Sequence, residues 1–196
     1  KVGYAEIGAA IDAAAKQGEL IDRTFLDRRG AEFAGFTTRQ SVETEAKMLR
    51  IEAEGRGALV PIASPLAAAK AVAGAATEAE RAGFGWNADQ RAATEQLLTS
   101  RSRVTAVQGF AGTAKTTTVL ATFAREAEAR GVSVVALAPT ASAAMVLGEA
   151  LGARSDTVAR HLLSSERSQG QAPAWIVDEA SLLSARDTVR LFDLAD

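Results

Sequence analysis

VTAVQGFAGTAKTTTVL, residues 104–120, is the stretch that decides the fold. A β-branched apolar run, residues 104–107, meets Gly109 and Gly112, then Lys115 and three threonines, then an apolar-periodic segment with helical spacing. The order is strand, loop, helix. Glycines let a backbone bend tightly enough to aim its N–H groups at phosphate oxygens. A helix start offers unpaired N–H groups and a positive dipole end to the same anion. Lys115 is placed to reach the outer phosphates, and the Thr116 hydroxyl to ligate Mg²⁺. The stretch meets the pattern G-x-x-x-x-G-K-[ST] except at Ala114, which stands where the pattern has glycine. A methyl group there can crowd the phosphate path or limit φ. The plain alternative, a glycine-rich turn between strand and helix, leaves the Lys-Thr-Thr-Thr helix start unexplained.

The chain has 196 residues, enough for one medium domain or one plus a small one. At 47% hydrophobic and 23% charged it is globular and can bury a core. No apolar run is long enough to span a bilayer. Lys1 is neither an initiator methionine nor part of a signal pattern, so a piece of a longer protein is expected. The absence of cysteine excludes disulfides and cysteine metal sites and fits a reducing, cytoplasmic setting. A net charge of −2 means that any nucleic-acid binding must come from a local basic patch.

Residues 4–17 carry Ile7, Ala10, Ile11 and Ala14 at helical spacing, with Gly18 as the stop. Residues 19–26 and 31–37 read as two strands around the turn Asp27-Arg28-Arg29-Gly30. Thr37-Thr38-Arg39-Gln40 resembles a capping box opening a helix with Val42, Ala46, Leu49 and Ala53 on one face. Helix, hairpin, helix is a small α+β, winged-helix-like unit over residues 1–60. Arg28 and Arg29 at its tip are either solvated or in contact with a nucleic-acid backbone. Residues 61–84 read as a linker and a helix. Ser64-Pro65 starts that helix and Gly83 ends it; its weakly apolar face predicts loose packing or a bridge between domains.

The remaining residues, 85–196, read as an α/β lobe. Asn87 opens a helix through Leu98, and Gln90 three residues later has two readings. It is the far end of a capping box, or its amide clamps the N6 and N7 edge of adenine. After the loop, residues 115–130 form a helix. Residues 132–138, VSVVALA, are a strand of the kind buried on both faces of a parallel sheet. Pro139 and Thr140 end that strand at its carboxyl edge, where α/β proteins place ligands. Residues 141–150 and 157–163 are further helices, the second carrying the lone His161, read as structural or surface rather than a ligand. Residues 175–179, WIVDE, deliver two acids at the end of an apolar strand. Asp178 suits a Mg²⁺ site and Glu179 suits a base that deprotonates water. Standing alone, the pair is an exposed acidic strand end; downstream of a phosphate loop it completes the parts that phosphoryl transfer needs.

In that order, WNADQRAA, GFAGTAKTTT, VVALAPTASAA and WIVDEASLLS resemble the Q motif and motifs I, Ia and II of RecD-like superfamily 1 helicases. Within that branch the chain looks like the helicase part of conjugative relaxases of the TraA/TraI (MobF) type, in which GELIDR and FTTRQSVETEAKML also find counterparts. The resemblance implies a RecA-like phosphate-loop NTPase lobe with a parallel sheet, acting as an ATP-dependent DNA helicase. It implies that Gln90 reads adenine and that Gly109, Phe110, Ala111, Gly112, Thr113, Ala114, Lys115, Thr116 and Thr117 wrap the phosphates. Lys115 and Glu179 would be catalytic, Thr116 and Asp178 would hold Mg²⁺, and Pro139 and Thr140 would line the DNA path. ATP and Mg²⁺ are the implied cofactors. The implied partners are single-stranded DNA, the second helicase lobe and relaxase domain of the parent chain, and other conjugation proteins. Translocation would run 5′→3′ in the intact protein, whereas this stretch alone is expected to bind nucleotide weakly and not to unwind DNA. Two other readings stand beside it: a degenerate helicase-like domain that binds single-stranded DNA without ATP turnover, and another phosphate-loop ATPase or kinase.

Overall fold

A computed structural model describes residues 3–109, 114–164 and 172–195. The backbone falls into two compact units, Lys1–Arg50 and Ile51–Asp196.

The first unit follows the expected order: α1 (Tyr4–Lys16), β1 (Leu20–Leu26), β2 (Glu32–Thr38) and the start of α2 (Arg39–Glu54). β1 and β2 pair antiparallel, with Phe25 opposite Phe33 and Arg23 opposite Gly35. The hairpin turn is held by Asp27, whose Oδ1 accepts the N–H groups of Arg29 and Ala31. Gly30, at φ +81°, makes the left-handed step that a side chain would resist. The cap of α2 differs by one residue from expectation. Thr38 is the capping residue, its Oγ1 accepting from the Ser41 N–H at 3.0 Å, because the ladder continues through Thr38. Neither α1 nor α2 has a fully buried residue.

The second unit is built on three parallel strands in the order β4-β3-β5: β3 (Val134–Ala138), β4 (Arg154–Thr157) and β5 (Ala174–Val177). The apolar run foreseen at residues 132–138 is apolar throughout because β3 is covered on both faces. Val134 and Ala136 point into a core with Ala124 and Ala127 of α5 (Ala121–Glu128) and Leu147 and Leu151 of α6 (Ala141–Leu151). Val135 and Leu137 point the other way, toward Val158 and Leu162 of α7 (Val158–Leu163) and Leu191 of α8 (Ala185–Ala195). Ile176 of β5 joins the first core, Trp175 and Val177 the second. Each large aliphatic side chain so buried contributes roughly 1.5–3 kcal/mol.

Two strands differ from the sequence reading. Residues 104–107 form no ladder with any described strand, since β-branched composition favours extension but cannot supply a neighbour to pair with. Conversely β4, Arg-Ser-Asp-Thr, has no apolar period and was not foreseen; as an edge strand it needs none.

The helix after residue 64 is better packed than its composition suggests. In α3 (Pro65–Arg81) the Ser64 Oγ accepts the Ala67 N–H, and Ala68, Val72, Ala75 and Ala76 are buried. Small side chains let α3 lie close to α4 (Ala88–Thr99): Ala63 and Ala68 meet Leu98, with Phe123 of α5 against the same cluster. Loose packing was expected because alanine scores as weakly apolar; close approach makes up for that.

The same closeness holds α6 against β4. A Cβ on Gly148 would lie 2.6 Å from the Ser155 Cβ. Gly148→Ala should therefore cost about 1–3 kcal/mol, read as a lower urea midpoint with unchanged slope. The double variant with Ser155→Gly should recover part of the loss, and additive losses would refute the contact.

Candidate functional site

Parallel register fixes what lies at the carboxyl edge of the sheet. Leu137 pairs with Val177 and with Asp156, so the next residues emerge side by side: Pro139 and Thr140 after β3, Asp178 after β5, and Thr157 at the end of β4. The Asp178 N–H donates to the Leu137 carbonyl at 3.0 Å, carrying the β5 ladder one residue further. The Thr140 Oγ1 accepts the Ala143 N–H and caps α6, which turns that helix back from the same edge.

Length and direction point the start of the helix that contains α5 toward this edge. The helix leaves at Gly131, at φ +81°, and the chain enters β3 within three residues. Residues 116–128 span about 20 Å at helical rise, and β3 about 16 Å. A helix that ends beside the amino edge of β3 and packs along the sheet therefore begins beside its carboxyl edge. Lys115 and Thr116 lie at that beginning.

Its first turn is not an ordinary α-turn. Residues Thr116–Leu120 form a π-turn, with the Leu120 N–H donating to the Lys115 carbonyl and the Ala121 N–H to the Thr116 carbonyl. Four consecutive β-branched residues, Thr116, Thr117, Thr118 and Val119, crowd a tight helical turn. The Thr118 Oγ1 also donates to the Ala114 carbonyl at 2.7 Å, which the Thr118 N–H reaches at 3.0 Å. Hydroxyls that compete for a helix carbonyl widen the turn. Wide turns of this kind concentrate at functional sites. Lys115 Nζ donates to the Gly109 carbonyl, so the ammonium reaches back across the loop toward its first glycine. Phe110, Ala111, Gly112 and Thr113 lie outside the described residues.

Among the described residues only two without a glycine's freedom have positive φ: Ala114 at +53° and Glu179 at +52°. Each adjoins an expected phosphate or metal residue, Lys115 and Asp178. The concern over Ala114 acquires a cause here. The position takes a left-handed backbone, which costs a residue with a Cβ about 1–2 kcal/mol. At Glu179 the turn is tied by the Asp178 Oδ1, which accepts the Glu179 N–H at 2.9 Å, and by the Leu182 N–H on the Glu179 carbonyl. Glu179 is exposed and Asp178 half-buried. Among the described residues no three histidines, cysteines or acids converge on a metal site. A metal at this edge would take Thr116, Asp178 and oxygens of a bound nucleotide, the sparse set that suits Mg²⁺.

Gln90 forms the capping box. Its Oε1 accepts the Asn87 N–H at 2.9 Å, and the Asn87 Oδ1 accepts the Gln90 N–H at 2.8 Å. His161 lies against Trp175, ring centroids 4.7 Å apart and nearly perpendicular. Burial pushes its imidazole pKa below the ordinary value, Asp156 opposing the shift and Arg154 adding to it. That contact gives it a packing role. No helix among the described residues is long and apolar enough to cross a membrane.

A model of the family described as "AAA domain" matches residues 85–196. Over 203 aligned residues the chain is 30% identical to the multifunctional conjugation protein TraI of Escherichia coli strain K12, covering 98% of this chain. A second Escherichia coli TraI matches to the same extent. The chain spans 11% of the length of these relatives. The likeness to the helicase part of TraI-type proteins, first read from four motifs, is thus matched over nearly the whole chain.

Two outcomes follow from the backbone and the buried ring. Ala114→Gly should raise stability by up to about 1 kcal/mol, the relieved strain exceeding the added freedom of the unfolded chain. A loss of stability in urea titration would show that the left-handed turn is not strained. Because the His161 pKa is lowered in the folded state, its contribution is complete above the reference value of 6.5 and lost as pH falls through the folded value. Stability should therefore decline below about pH 6.5, and His161→Phe, which keeps the ring contact, should flatten that part of the decline.

Proposed function

We propose that this chain, which belongs to the AAA-domain family, is the ATP-binding lobe of a DNA helicase in conjugative DNA transfer, driving 5′→3′ movement along single-stranded DNA in its parent protein. The observation that supports the reading is the edge shared by Asp178, Pro139 and Thr140. The parallel register delivers Asp178, Glu179, Pro139 and Thr140 to one side of the sheet, and the direction of the helix behind Lys115 and Thr116 runs toward that side.

Bound MgATP supplies a phosphoanhydride bond whose cleavage needs positioning and charge neutralisation more than covalent help. The Lys115 ammonium, which donates to the Gly109 carbonyl, would pair with phosphate oxygens of the bound nucleotide. The Thr116 hydroxyl and the Asp178 carboxylate would hold Mg²⁺, which would supply charge neutralisation at the phosphates. Glu179, carried outward by its left-handed backbone, takes a proton from the attacking water. The loop from Gly109 to Thr117, including Phe110, Ala111, Gly112, Thr113 and Ala114, wraps the phosphates with its N–H groups. Gln90 faces adenine from its capping position, and Pro139 and Thr140 contact DNA beside the α6 cap. In the parent protein the partners are single-stranded DNA, a second helicase lobe, a relaxase domain and other conjugation proteins, in the cytoplasm.

A second reading has one observation in its favour. The strain at Ala114 fits a degenerate lobe that binds single-stranded DNA without turning ATP over.

Titration with a fluorescent ATP analogue and Mg²⁺ tests the main reading. Lys115→Ala should weaken binding about ten-fold or more, the loss of charge-assisted hydrogen bonds; equal affinity would overturn it. Gln90 needs a variant that separates its two roles. Gln90→Glu keeps an acceptor for the Asn87 N–H but removes the amide donor to adenine N7. It should leave the melting temperature unchanged and weaken binding of the adenine nucleotide, because the donor to N7 is gone. Unaltered affinity would leave Gln90 as a cap alone.

A further inference from the structure

We propose that one face of the β1–β2 hairpin, bearing Arg23, Phe25 and Phe33, is a stacking platform for single-stranded nucleic acid. The inference goes beyond the motor reading, which puts DNA on Pro139 and Thr140, and requires no nucleotide.

Alternation along the ladder sorts the hairpin into two unlike faces. Ile21, Arg23 and Phe25 share one face with Thr37, Gly35 and Phe33, their pairing partners. Asp22 and Glu32, the acids within the two strands, fall on the other face with Leu20, Thr24, Leu26, Ala34 and Phe36. The two strands therefore put no carboxylate on the first face and put Arg23 near its middle. At its end the turn adds Arg28 and Arg29, and the adjoining Asp27 has one carboxylate oxygen engaged by backbone N–H groups.

The two rings are in a definite arrangement. Phe25 and Phe33 stack with centroids 5.5 Å apart and planes 25° from parallel. Phe25 lies over Gly35, where a Cβ would come within 2.9 Å of the ring. A glycine in mid-strand weakens a sheet; here it makes room for the ring. Yet the pair is not interior, since Phe25 is 37% and Phe33 52% exposed. Flat apolar rings held in place, open to solvent, with the Arg23 backbone about 7 Å along the strand from that of Phe25, match bases joined by phosphates.

Size separates this partner from a protein. A two-stranded ribbon of this length is about 23 Å by about 10 Å. That is several-fold below the roughly 800 Å² per partner that a stable protein interface buries. A few nucleotides need no more than that area.

The test uses the whole chain, without nucleotide, and two fluorescent probes: an oligothymidylate and an abasic strand of equal length. Anisotropy is read at low and physiological salt. Phe33→Ala should weaken oligothymidylate binding about ten-fold and leave abasic binding unchanged. Phe33→Trp should bind oligothymidylate at least as well as the wild type. Arg23→Gln should weaken both probes and reduce the salt slope by about one. The proposal is overturned if Phe33→Ala binds both probes as the wild type does, or if both Phe33 variants lose affinity alike. It is also overturned if Phe33→Ala changes only the sedimentation of the chain, which would make the face a protein contact. Parallel titration with the fluorescent ATP analogue keeps the two ideas apart. Failure to bind ATP with the Phe33 pattern intact removes the motor reading alone; normal ATP binding with no Phe33 effect removes the platform alone.

Discussion

The parallel ladder between β3 and β5 is the constraint on which the arrangement of the second unit depends. With Leu137 opposite Val177, the residue after each strand must emerge at the same edge. The hydrogen bond from the Asp178 N–H to the Leu137 carbonyl extends that ladder by one residue and then ends it. A strand that stops there sends its backbone outward, and Glu179 takes the left-handed turn that follows. A shift of one residue in the pairing would exchange the two faces of β5 and put Ile176 where Trp175 and Val177 now pack. The acids and the core are thus set by the same register.

Helices are held to that sheet by small residues as much as by large ones. Ala124, Ala127, Ala136 and Gly148 bring backbone close to backbone, and Leu147, Leu151 and Ile176 fill what remains. Phe123 touches the core under α5 and the cluster between α3 and α4, so it links the α3–α4 pair to the sheet layer. The first unit has a different character. Its helices bury no residue completely, its hairpin keeps aromatic rings in solvent, and its definition comes from pairing and turn chemistry. A hairpin with so little covered area is marginal by itself, and the stacked Phe25–Phe33 pair is one of the contacts that hold its two strands together.

The legible parts of the chain were those with local chemistry. Ser64 before Pro65, Asn87 with Gln90, Thr140 before α6 and Gly152 after it bounded helices close to where they were expected. The uniform apolar run in β3 reported burial on two faces, because no polar residue could be accommodated on either. β4 escaped notice because an edge strand with half-covered side chains has no hydrophobic period to read. The opposite error arose at residues 104–107, where composition favours extension but the ladder partner is a property of the fold. Within the candidate site, residue types were readable and their conformations were not. The π-turn after Lys115 and the left-handed backbone at Ala114 and Glu179 come from competition among hydrogen bonds and from chain direction.

By itself the sequence determined the family, most helix limits and the strand buried on both faces. Each rests on side-chain type at short spacing, which a linear chain carries in full. The tertiary structure alone decided which strands pair, that Asp178 and Thr140 emerge at one edge of the sheet, and that the strands of the hairpin keep their carboxylates off one face. Those facts depend on register, and contacts between distant residues acquire a geometry only when the chain folds.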